Sequence, residues 1–409
     1  MIPIADRPFD IVVWGATGFT GRLVIEYLCT NYPDIKVAIG GRNEEKCNRL
    51  LEELELGVPI FIADAFDEPS LRTMVQQTRV ICTTVGPYSK YGQLLVDICL
   101  DEGTDYCDLT GESPFVRAQI DRHHDTATQK GVRIVHACGF DSIPSDLGVQ
   151  FLQNQIHERE GVFAPKIQAM TGKMKGGLSG GTVASMVQML DAIADDRSVL
   201  RTLANPYSLN PDKKYRGPDG RDQMSLRYDK MVHRWTGPFI MAGTNTKIVR
   251  RSHALQEFPY GEDFEYSEVM GFPKGGKGFW MATKITVGLG ILMAAMTSSR
   301  WVRHQIWKRL PQPGEGPSEK QRTNGYFTIH FFAEVEGRVY ETIVADNCDP
   351  GYASTSKMLA ESCLALVQNR DQLPSEGGVL TPATAFGPVL TERLKKSGMR
   401  FEFAPFATD

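Results

Sequence analysis

The sequence predicts an α/β protein with a Rossmann-type, doubly wound parallel sheet and a second α+β domain that contains a mixed sheet. Three observations predict this class. Apolar runs alternate with segments of helical spacing over residues 1–145, three glycines follow the first apolar run, and the alternation ends near residue 146. A chain of 409 residues, 42% of them hydrophobic, is long enough for about two domains.

The first domain, placed at residues 1–145, begins with short apolar runs that we interpret as strands. They read FDIVVW, KVAIG, PIFIA, RVICTTV, DYCDL and VRIVHA. Segments suited to helices, such as RLVIEYLC, EEKCNRLLEEL and EPSLRTMVQQ, lie between them. Strands that alternate with helices form a parallel sheet through right-handed crossovers.

A glycine-rich turn, GATGFTG, separates the first strand from the first helix. Glycines with this spacing permit a tight turn, close approach of a pyrophosphate and close packing of the helix, whose free amides bind the phosphates. The sequence therefore predicts a dinucleotide site, with an ordinary tight turn as the structural alternative. Its residues would be Gly15, Ala16, Thr17, Gly18, Phe19, Thr20 and Gly21.

The residues at the end of the second strand indicate whether the site prefers NAD or NADP. Sites that prefer NAD usually have an acidic residue there, whereas this chain has Gly40, Gly41 and Arg42, with Lys46 one helical turn later. A guanidinium can bind a 2′-phosphate through two hydrogen bonds. We therefore predict NADPH as the cofactor, held by Gly41, Arg42 and Lys46, with a simply solvated Arg42 as the alternative.

Residues after the other strands are expected beside the same ligand, because ligands of open parallel sheets bind beyond the carboxyl ends of the strands. Asp64 would approach adenine, and Val85, Gly86, Pro87 and Tyr88 would approach the nicotinamide. Tyr88 and Asp141 are candidate proton donors or orienting groups. Their structural alternatives are packing against the nicotinamide for Tyr88 and helix capping for Asp141.

Taken together, the motifs resemble the saccharopine dehydrogenase-like oxidoreductases, and most closely the trans-acting enoyl reductases of polyketide or lipid assembly. The motifs are GATGFTG, GGR, VGPY, DLTGE, GFDSIPSDLG, SGGT and GGVLTPATAFG, in order along nearly the whole chain. The resemblance implies NADPH-dependent reduction of a large apolar substrate, an acyl or polyketide enoyl intermediate that is free or carrier-bound. Reduction of an imine or ketone is one alternative, and a non-catalytic nucleotide-binding protein at a lipid surface is another.

The second domain is placed at residues 146–350 and the C-terminal segment at residues 351–409. PKIQAMTGKMKG predicts a strand, and YFTIHFFAEVEGRVYETIVAD predicts two strands joined at Glu336 and Gly337. The Pro- and Gly-rich residues 205–222 predict a long loop, either a substrate lid or a passive insertion. The C-terminal helices are expected to pack back on the Rossmann domain.

Residues 279–296, FWMATKITVGLGILMAAM, form an apolar segment that is marginal for a bilayer span and contains Lys284. Our first expectation is a buried hairpin or a helix that lines an apolar pocket, and our second is shallow attachment to a membrane or lipid surface. For the basic and aromatic residues that follow this segment, the alternatives to lipid attachment are contact with an acidic carrier protein and a solvated charged helix. We predict that the segment does not span a bilayer.

Charge and cysteine content exclude other classes. A formal charge of −4 argues against nonspecific nucleic-acid binding. The eight cysteines form no Cys-x-x-Cys pair, so we expect neither a metal site nor a disulfide framework. With no secretory signal visible in MIPIADRPFD, the expected location is cytoplasmic, with a peripheral position on a membrane or lipid droplet as its extension. The sequence leaves the oligomeric state open.

Overall fold

The structure is a computed structural model that describes residues 3–176, 180–195, 198–310 and 316–406. Within these ranges the strands are β1 (Phe9–Trp14), β2 (Val37–Gly41), β3 (Ile60–Ile62), β4 (Thr78–Thr83), β5 (Asp105–Cys107), β6 (Arg133–Val135), β7 (Lys166–Lys175), β8 (Arg227–Asp229), β9 (Arg234–Pro238), β10 (Glu265–Gly271), β11 (Tyr326–Val335), β12 (Arg338–Asp346), β13 (Gly378–Leu380) and β14 (Arg400–Pro405).

The helices of the described ranges connect these strands and cover both sheets. They are α1 (Phe19–Asn31), α2 (Glu44–Glu53), α3 (Glu68–Val75), α4 (Tyr88–Tyr91), α5 (Gln93–Glu102), α6 (Ser113–Lys130), α7 (Ile143–Glu160), α8 (Gly180–Asp195), α9 (Ser198–Ala204), α10 (Ala242–Leu255), α11 (Gly275–Ser298), α12 (Arg300–Trp307), α13 (Glu319–Thr323), α14 (Thr355–Gln368) and α15 (Pro382–Lys396). The SGGT motif begins at Ser179, which lies outside the described residues.

The first sheet is parallel and has the strand order β13-β6-β5-β4-β1-β2-β3. Its six N-terminal strands coincide with the six predicted ones, which confirms the Rossmann class. They read as continuous apolar runs because helices cover both faces of such a sheet. The seventh strand, β13, comes from the C-terminal segment, and its three residues are too few to show a period in the sequence.

The second sheet is mixed, with the order β14-β12-β11-β7-β10-β9-β8. Strands β7 and β10 pair in parallel, and the other neighbours pair antiparallel. The predicted β11–β12 hairpin is present, and its turn residues Glu336 and Gly337 have φ angles of 51° and 76°. Positive φ at both central residues is typical of the tight turn that matches strand twist. The α+β class of the second domain is therefore confirmed.

A shared hydrophobic core joins the two sheets, with α7 between them. Ile11 of β1, Leu147 of α7 and Phe331 of β11 are all fully buried in this core. A Cβ on Gly148 would lie 2.5 Å from the Phe331 ring, so only glycine allows α7 to lie this close to β11. The close contact fixes the N-terminus of α7 at the edge where the strands of the parallel sheet end.

The apolar segment 279–296 is not a buried hairpin or a pocket wall, which corrects our first expectation. It belongs to α11, whose buried residues are only Gly278, Ala282 and Met296. A Cβ added at Gly288 or Gly290 would have no heavy atom within 4 Å, so no described part of the chain covers that side of the helix. The apolar composition indicated burial, but the second domain offers α11 only one narrow contact face.

Residues 205–226 contain no helix or strand, in agreement with the predicted loop. The loop is held against the body of the protein rather than free, since Arg250 forms a buried ion pair with Asp219 at 2.6 Å. Residues 205–222 do not line the large cavity at the carboxyl ends of the parallel strands. These contacts favour the passive insertion over the substrate lid.

Candidate active site

A cavity of about 510 Å³ lies beyond the carboxyl ends of the parallel strands, between the two domains. The Rossmann side contributes the glycine turn and the loops after the strands, the second domain contributes residues of α8 and α10, and the C-terminal segment contributes residues at the start of α14 and just before it. Parallel sheets commonly bind ligands at this edge. The cavity therefore contains most of the site residues predicted from the sequence.

The glycine turn forms one wall of the cavity through Gly15, Thr17, Gly18, Phe19 and Thr20. Gly15 has a φ of +87°, and a Cβ on Gly21 would lie 2.3 Å from the Gly15 carbonyl oxygen. The turn thus requires glycine, and α1 starts directly behind it. Helix α1 has no side-chain cap at Gly18, which leaves the turn suited to a pyrophosphate.

Two further residues of the predicted turn, Ala16 and Gly21, are buried behind this wall and support it instead of facing the cavity.

The end of β2 places Gly41 and Arg42 at the cavity. Arg42 is exposed and forms no ion pair with the described residues, so its guanidinium is available for a 2′-phosphate. Lys46 does not line the cavity, and its contact with the 2′-phosphate stays a prediction. It lies exposed in the first turn of α2, where its backbone N–H donates to Asn43 Oδ1 at 2.8 Å.

Asp64 lines the cavity as predicted, and its Oδ1 accepts the Phe66 N–H at 2.9 Å. Phe66 and Tyr91 also line it, with ring centroids 5.6 Å apart. An aromatic pair at this position could hold a flat ring such as adenine. The sequence reasoning missed both rings, although a large apolar side chain directly after a strand end was a usable signal.

After β4, Val85, Gly86 and Tyr88 line the cavity, whereas Pro87 does not. Tyr88 is 5% exposed, and its hydroxyl donates to the Thr83 carbonyl at 3.2 Å and accepts the Leu109 N–H at 3.3 Å. Burial raises the pKa of this hydroxyl above its usual range. The hydroxyl therefore hydrogen-bonds backbone groups after two strands, a structural role that differs from both sequence-based alternatives for Tyr88.

Glu112, in the DLTGE motif, is a carboxylate of the cavity that the sequence reasoning did not assign a role. It is 5% exposed, and it accepts the backbone N–H groups of Tyr88 and Ser89, both at 2.9 Å. Ser185 of α8 also donates to it, at 2.8 Å. Glu112 therefore connects the wall formed by α8 to the Rossmann domain.

Asp141 lines the cavity immediately before α7. Burial raises the pKa of its carboxyl group to about 6. Its side chain has no hydrogen bond from the described residues, so it does not cap α7, and a Cβ built on the nearby Gly111 would lie 3.5 Å from its Oδ2. This carboxyl group is partly protonated near neutral pH and faces the ligand space, as a proton donor requires.

Residues at or near the starts of three helices line the same cavity as Asp141. Asp141 precedes α7, Gly181 and Ser185 belong to α8, and Met241 and Thr244 mark the start of α10. Helix N-termini carry partial positive charge. Helix starts that line a cavity would favour negative charge that develops inside it.

Asp108 holds the loops that carry Glu112 and Asp141. Its buried carboxylate accepts the Thr110 and Ala137 N–H groups at 3.0 and 3.2 Å and pairs with His136 at 2.7 Å. Ala137 has a φ of 60°, a left-handed conformation that is uncommon for alanine. Asp108 thus stabilises the bend that brings Asp141 to the cavity.

Comparison with known proteins agrees with this geometry. A family model described as the saccharopine dehydrogenase NADP binding domain matches residues 11–135. A putative trans-acting enoyl reductase of Mycobacterium tuberculosis is 41% identical, over 98% of this chain and 99% of its own. A trans-acting enoyl reductase of Mycobacterium leprae is 37% identical, over 96% and 97% of the two chains.

Among solved structures, apo saccharopine dehydrogenase (L-Glu forming) from Saccharomyces cerevisiae matches with a TM-score of 0.55. The match covers 98% of this chain and 100% of that chain at 14% identity. At this identity the match supports the fold, including the pairing of a parallel sheet with a second mixed sheet.

Proposed function

Because the chain belongs to the saccharopine dehydrogenase-like oxidoreductases, within the trans-acting enoyl reductases, we propose that it reduces the carbon–carbon double bond of an enoyl intermediate. As a member of this family it is an NADPH-dependent oxidoreductase. The observation that carries the proposal is Asp141, a carboxyl group with a raised pKa that faces the cavity where nicotinamide and substrate would meet.

The cavity residues fit the cofactor. The glycine turn would hold the pyrophosphate, Arg42 the 2′-phosphate, and Phe66 with Tyr91 the adenine. When bound, NADPH supplies the hydride for the β-carbon of the double bond. The protein must then supply a proton to the α-carbon and stabilise the charge on the substrate carbonyl oxygen.

We assign these two tasks to neighbouring parts of the site. Asp141 donates the proton, which its raised pKa allows near neutral pH. The first turns of α7, α8 and α10 stabilise the developing negative charge. The carbonyl oxygen that gains charge and the α-carbon that gains the proton are both bonded to the carbonyl carbon, so helix ends and a carboxyl group in one cavity can serve both.

The substrate end of the cavity favours an apolar acyl chain. Met186 and Met189 of α8 lie on this side together with Ile240 and Met241. Methionine side chains adapt to ligands of variable shape because they are flexible and polarisable. This lining supports an acyl or polyketide-like substrate, free or attached to a carrier.

Turnover of substrate classes tests the proposal. Purified protein with NADPH should reduce a long-chain 2-enoyl thioester faster than a matched ketone or imine, followed by NADPH absorbance and product mass. A clear preference for the ketone or imine would contradict enoyl reduction and favour the alternative of imine or ketone reduction. Short-chain enoyl thioesters serve as the control for the apolar lining, and we expect them to react more slowly.

For the location of the enzyme, we propose peripheral contact with a lipid surface through α11 and α12. The exposed apolar side chains of this region are Trp280, Met281, Ile285, Val287, Ile291, Leu292 and Trp301. Residues 274–310 contain seven Lys and Arg residues and no Asp or Glu, in a chain whose formal charge is −4. An apolar helix face with cationic flanks suits the interface of an anionic membrane.

Helix α11 is long and apolar enough to cross a membrane by length and composition. We favour an in-plane position because one side of α11 packs on the protein. Phe279 contacts Trp235 of β9 with ring centroids 5.0 Å apart, and Ala282 and Met296 are buried. A spanning helix would need to leave these contacts, and the exposed Lys284 would enter the hydrocarbon region.

Replacing Trp280, Ile291 and Trp301 with serine should weaken binding to anionic liposomes about 10-fold or more, since each apolar side chain contributes on insertion. Sedimentation with vesicles of phosphatidylserine and phosphatidylcholine measures the change. Met224→Ser, which alters an apolar side chain of similar exposure elsewhere, is the matched control. Equal binding by the triple variant and the wild-type protein, or wild-type protein that carbonate cannot release from membranes, would contradict in-plane attachment.

A further inference from the structure

Two largely buried arginines lie together on the Rossmann side, at a distance from the lining of the active-site cavity. Arg251 of α10 is 1% exposed, and its terminal nitrogens donate to the Leu209 and Val379 carbonyls at 2.6 Å each. Arg117 of α6 donates to the Asn210 carbonyl at 2.9 Å. The two guanidinium groups thus hold the same short stretch of the loop 205–226, next to the edge strand β13.

Positive charge exceeds negative charge in this group. Asp121 pairs with Arg117 at 2.6 Å and also with Lys213 at 2.8 Å. Arg251 has no ion pair with the described residues, and burial together with the nearby Arg117 lowers its pKa to about 9. Asp121 also acts on Arg251, but it is shared with Arg117 and Lys213, so positive charge remains in excess and a bound anion would balance it.

Unsatisfied polar atoms are concentrated at the same place. Buried side-chain atoms without a hydrogen-bond partner in the described structure include Nε of Arg117, Nε of Arg251, Oγ of Ser208 and both polar atoms of the Asn210 amide. Asn210 is itself only 1% exposed. Buried polar groups normally have partners, and four of these five atoms carry hydrogens that they can donate.

We propose that a small monovalent anion of the halide class binds between Arg117, Arg251 and Asn210. The two Nε–H groups, the Ser208 hydroxyl and the Asn210 amide N–H coordinate it, and its charge balances Arg251. A halide suits the group because the side chains around it are largely buried and offer four donors against one acceptor, the Asn210 Oδ1. The bound anion fastens the loop 205–226 to the edge of the parallel sheet, and this site is independent of the proposed reaction.

Halide dependence of stability tests the site in the unmodified protein. Thermal unfolding in sodium chloride, compared with sodium gluconate at the same ionic strength, should show a saturable rise of about 2–4 °C in Tm. A crystal soaked in bromide should show an anomalous peak between Arg251 and Asn210. No saturable rise, or an ordered water without anomalous signal at this position, would overturn the proposal.

Variants identify the site. Arg251→Met removes the charge that needs compensation, and Asn210→Ala removes one donor while leaving that charge in place, so both should abolish or weaken the chloride response. Arg221→Met, which removes an exposed arginine of the same loop, is the matched control and should respond as the wild-type protein does. A full chloride response in folded Arg251→Met or Asn210→Ala would place the anion elsewhere and overturn the assignment.

Discussion

Replacing Asp141 with asparagine is expected to lower kcat by about 10²–10⁴-fold, the usual contribution of a general acid, with little change in NADPH binding. Asparagine has nearly the same shape but cannot supply the proton. Stopped-flow measurement of hydride transfer, together with fluorescence titration of NADPH, separates the two effects. Among single substitutions in the cavity, this one should have the largest effect on the reaction.

The pH dependence of the wild-type enzyme provides a second readout. Burial raises the pKa of Asp141 to about 6, so the protonated form that donates is lost as pH rises through this value. The rate should therefore fall above pH 6, and this limb should be absent in Asp141→Asn. Retention of wild-type kcat and of the same limb in the variant would show that another group supplies the proton.

The same pKa shift makes a prediction for stability. A carboxyl group whose folded-state pKa is raised contributes stability at low pH, and that contribution is lost as pH rises from its ordinary pKa of 3.8 to about 6. Asp141→Asn has no charge to bury, so its Tm should exceed that of the wild-type protein at pH 8. A higher Tm together with lost activity would exclude misfolding as the cause.

Replacing Arg42 with alanine is expected to weaken NADPH binding by about 10–100-fold and NADH binding by much less. Only NADPH carries the 2′-phosphate, and a hydrogen-bonded charged group of this kind is typically worth about 1.5–3 kcal/mol. Isothermal titration with both cofactors measures the difference. Lys46→Ala is the matched control, because Lys46 does not line the cavity and should have a smaller effect. Equal losses for NADPH and NADH would contradict the assignment of Arg42.

The cofactor side of the site could be predicted from the sequence because its determinants are local. The first strand, the turn from Gly15 to Gly21 and the start of α1 follow one another directly along the chain. Arg42 follows from its position at the end of a recognisable strand. Lys46, one helical turn along α2, does not line the cavity, so its contact with the 2′-phosphate stays a prediction.

The substrate side was decided by contacts between distant segments. Glu112 connects two parts of the site only because Ser185 of α8 donates a hydrogen bond to it, and Phe66 forms an aromatic pair only with Tyr91. The raised pKa of Asp141 is also a property of the packed chain, because it comes from burial of the carboxyl group. Sequence spacing does not specify such distances.

What the sequence by itself determined about this protein is the Rossmann class, the glycine turn and the preference for NADPH, because short-range periodicity and turn chemistry encode them. Only the tertiary structure decided that α11 is exposed, that β13 completes the parallel sheet and that the Tyr88 hydroxyl hydrogen-bonds the backbone of Thr83 and Leu109. Periodicity shows which side chains are apolar, but not which neighbour covers them. Burial is a property of the packed chain, and for α11 the neighbouring elements cover one narrow face and leave the rest exposed.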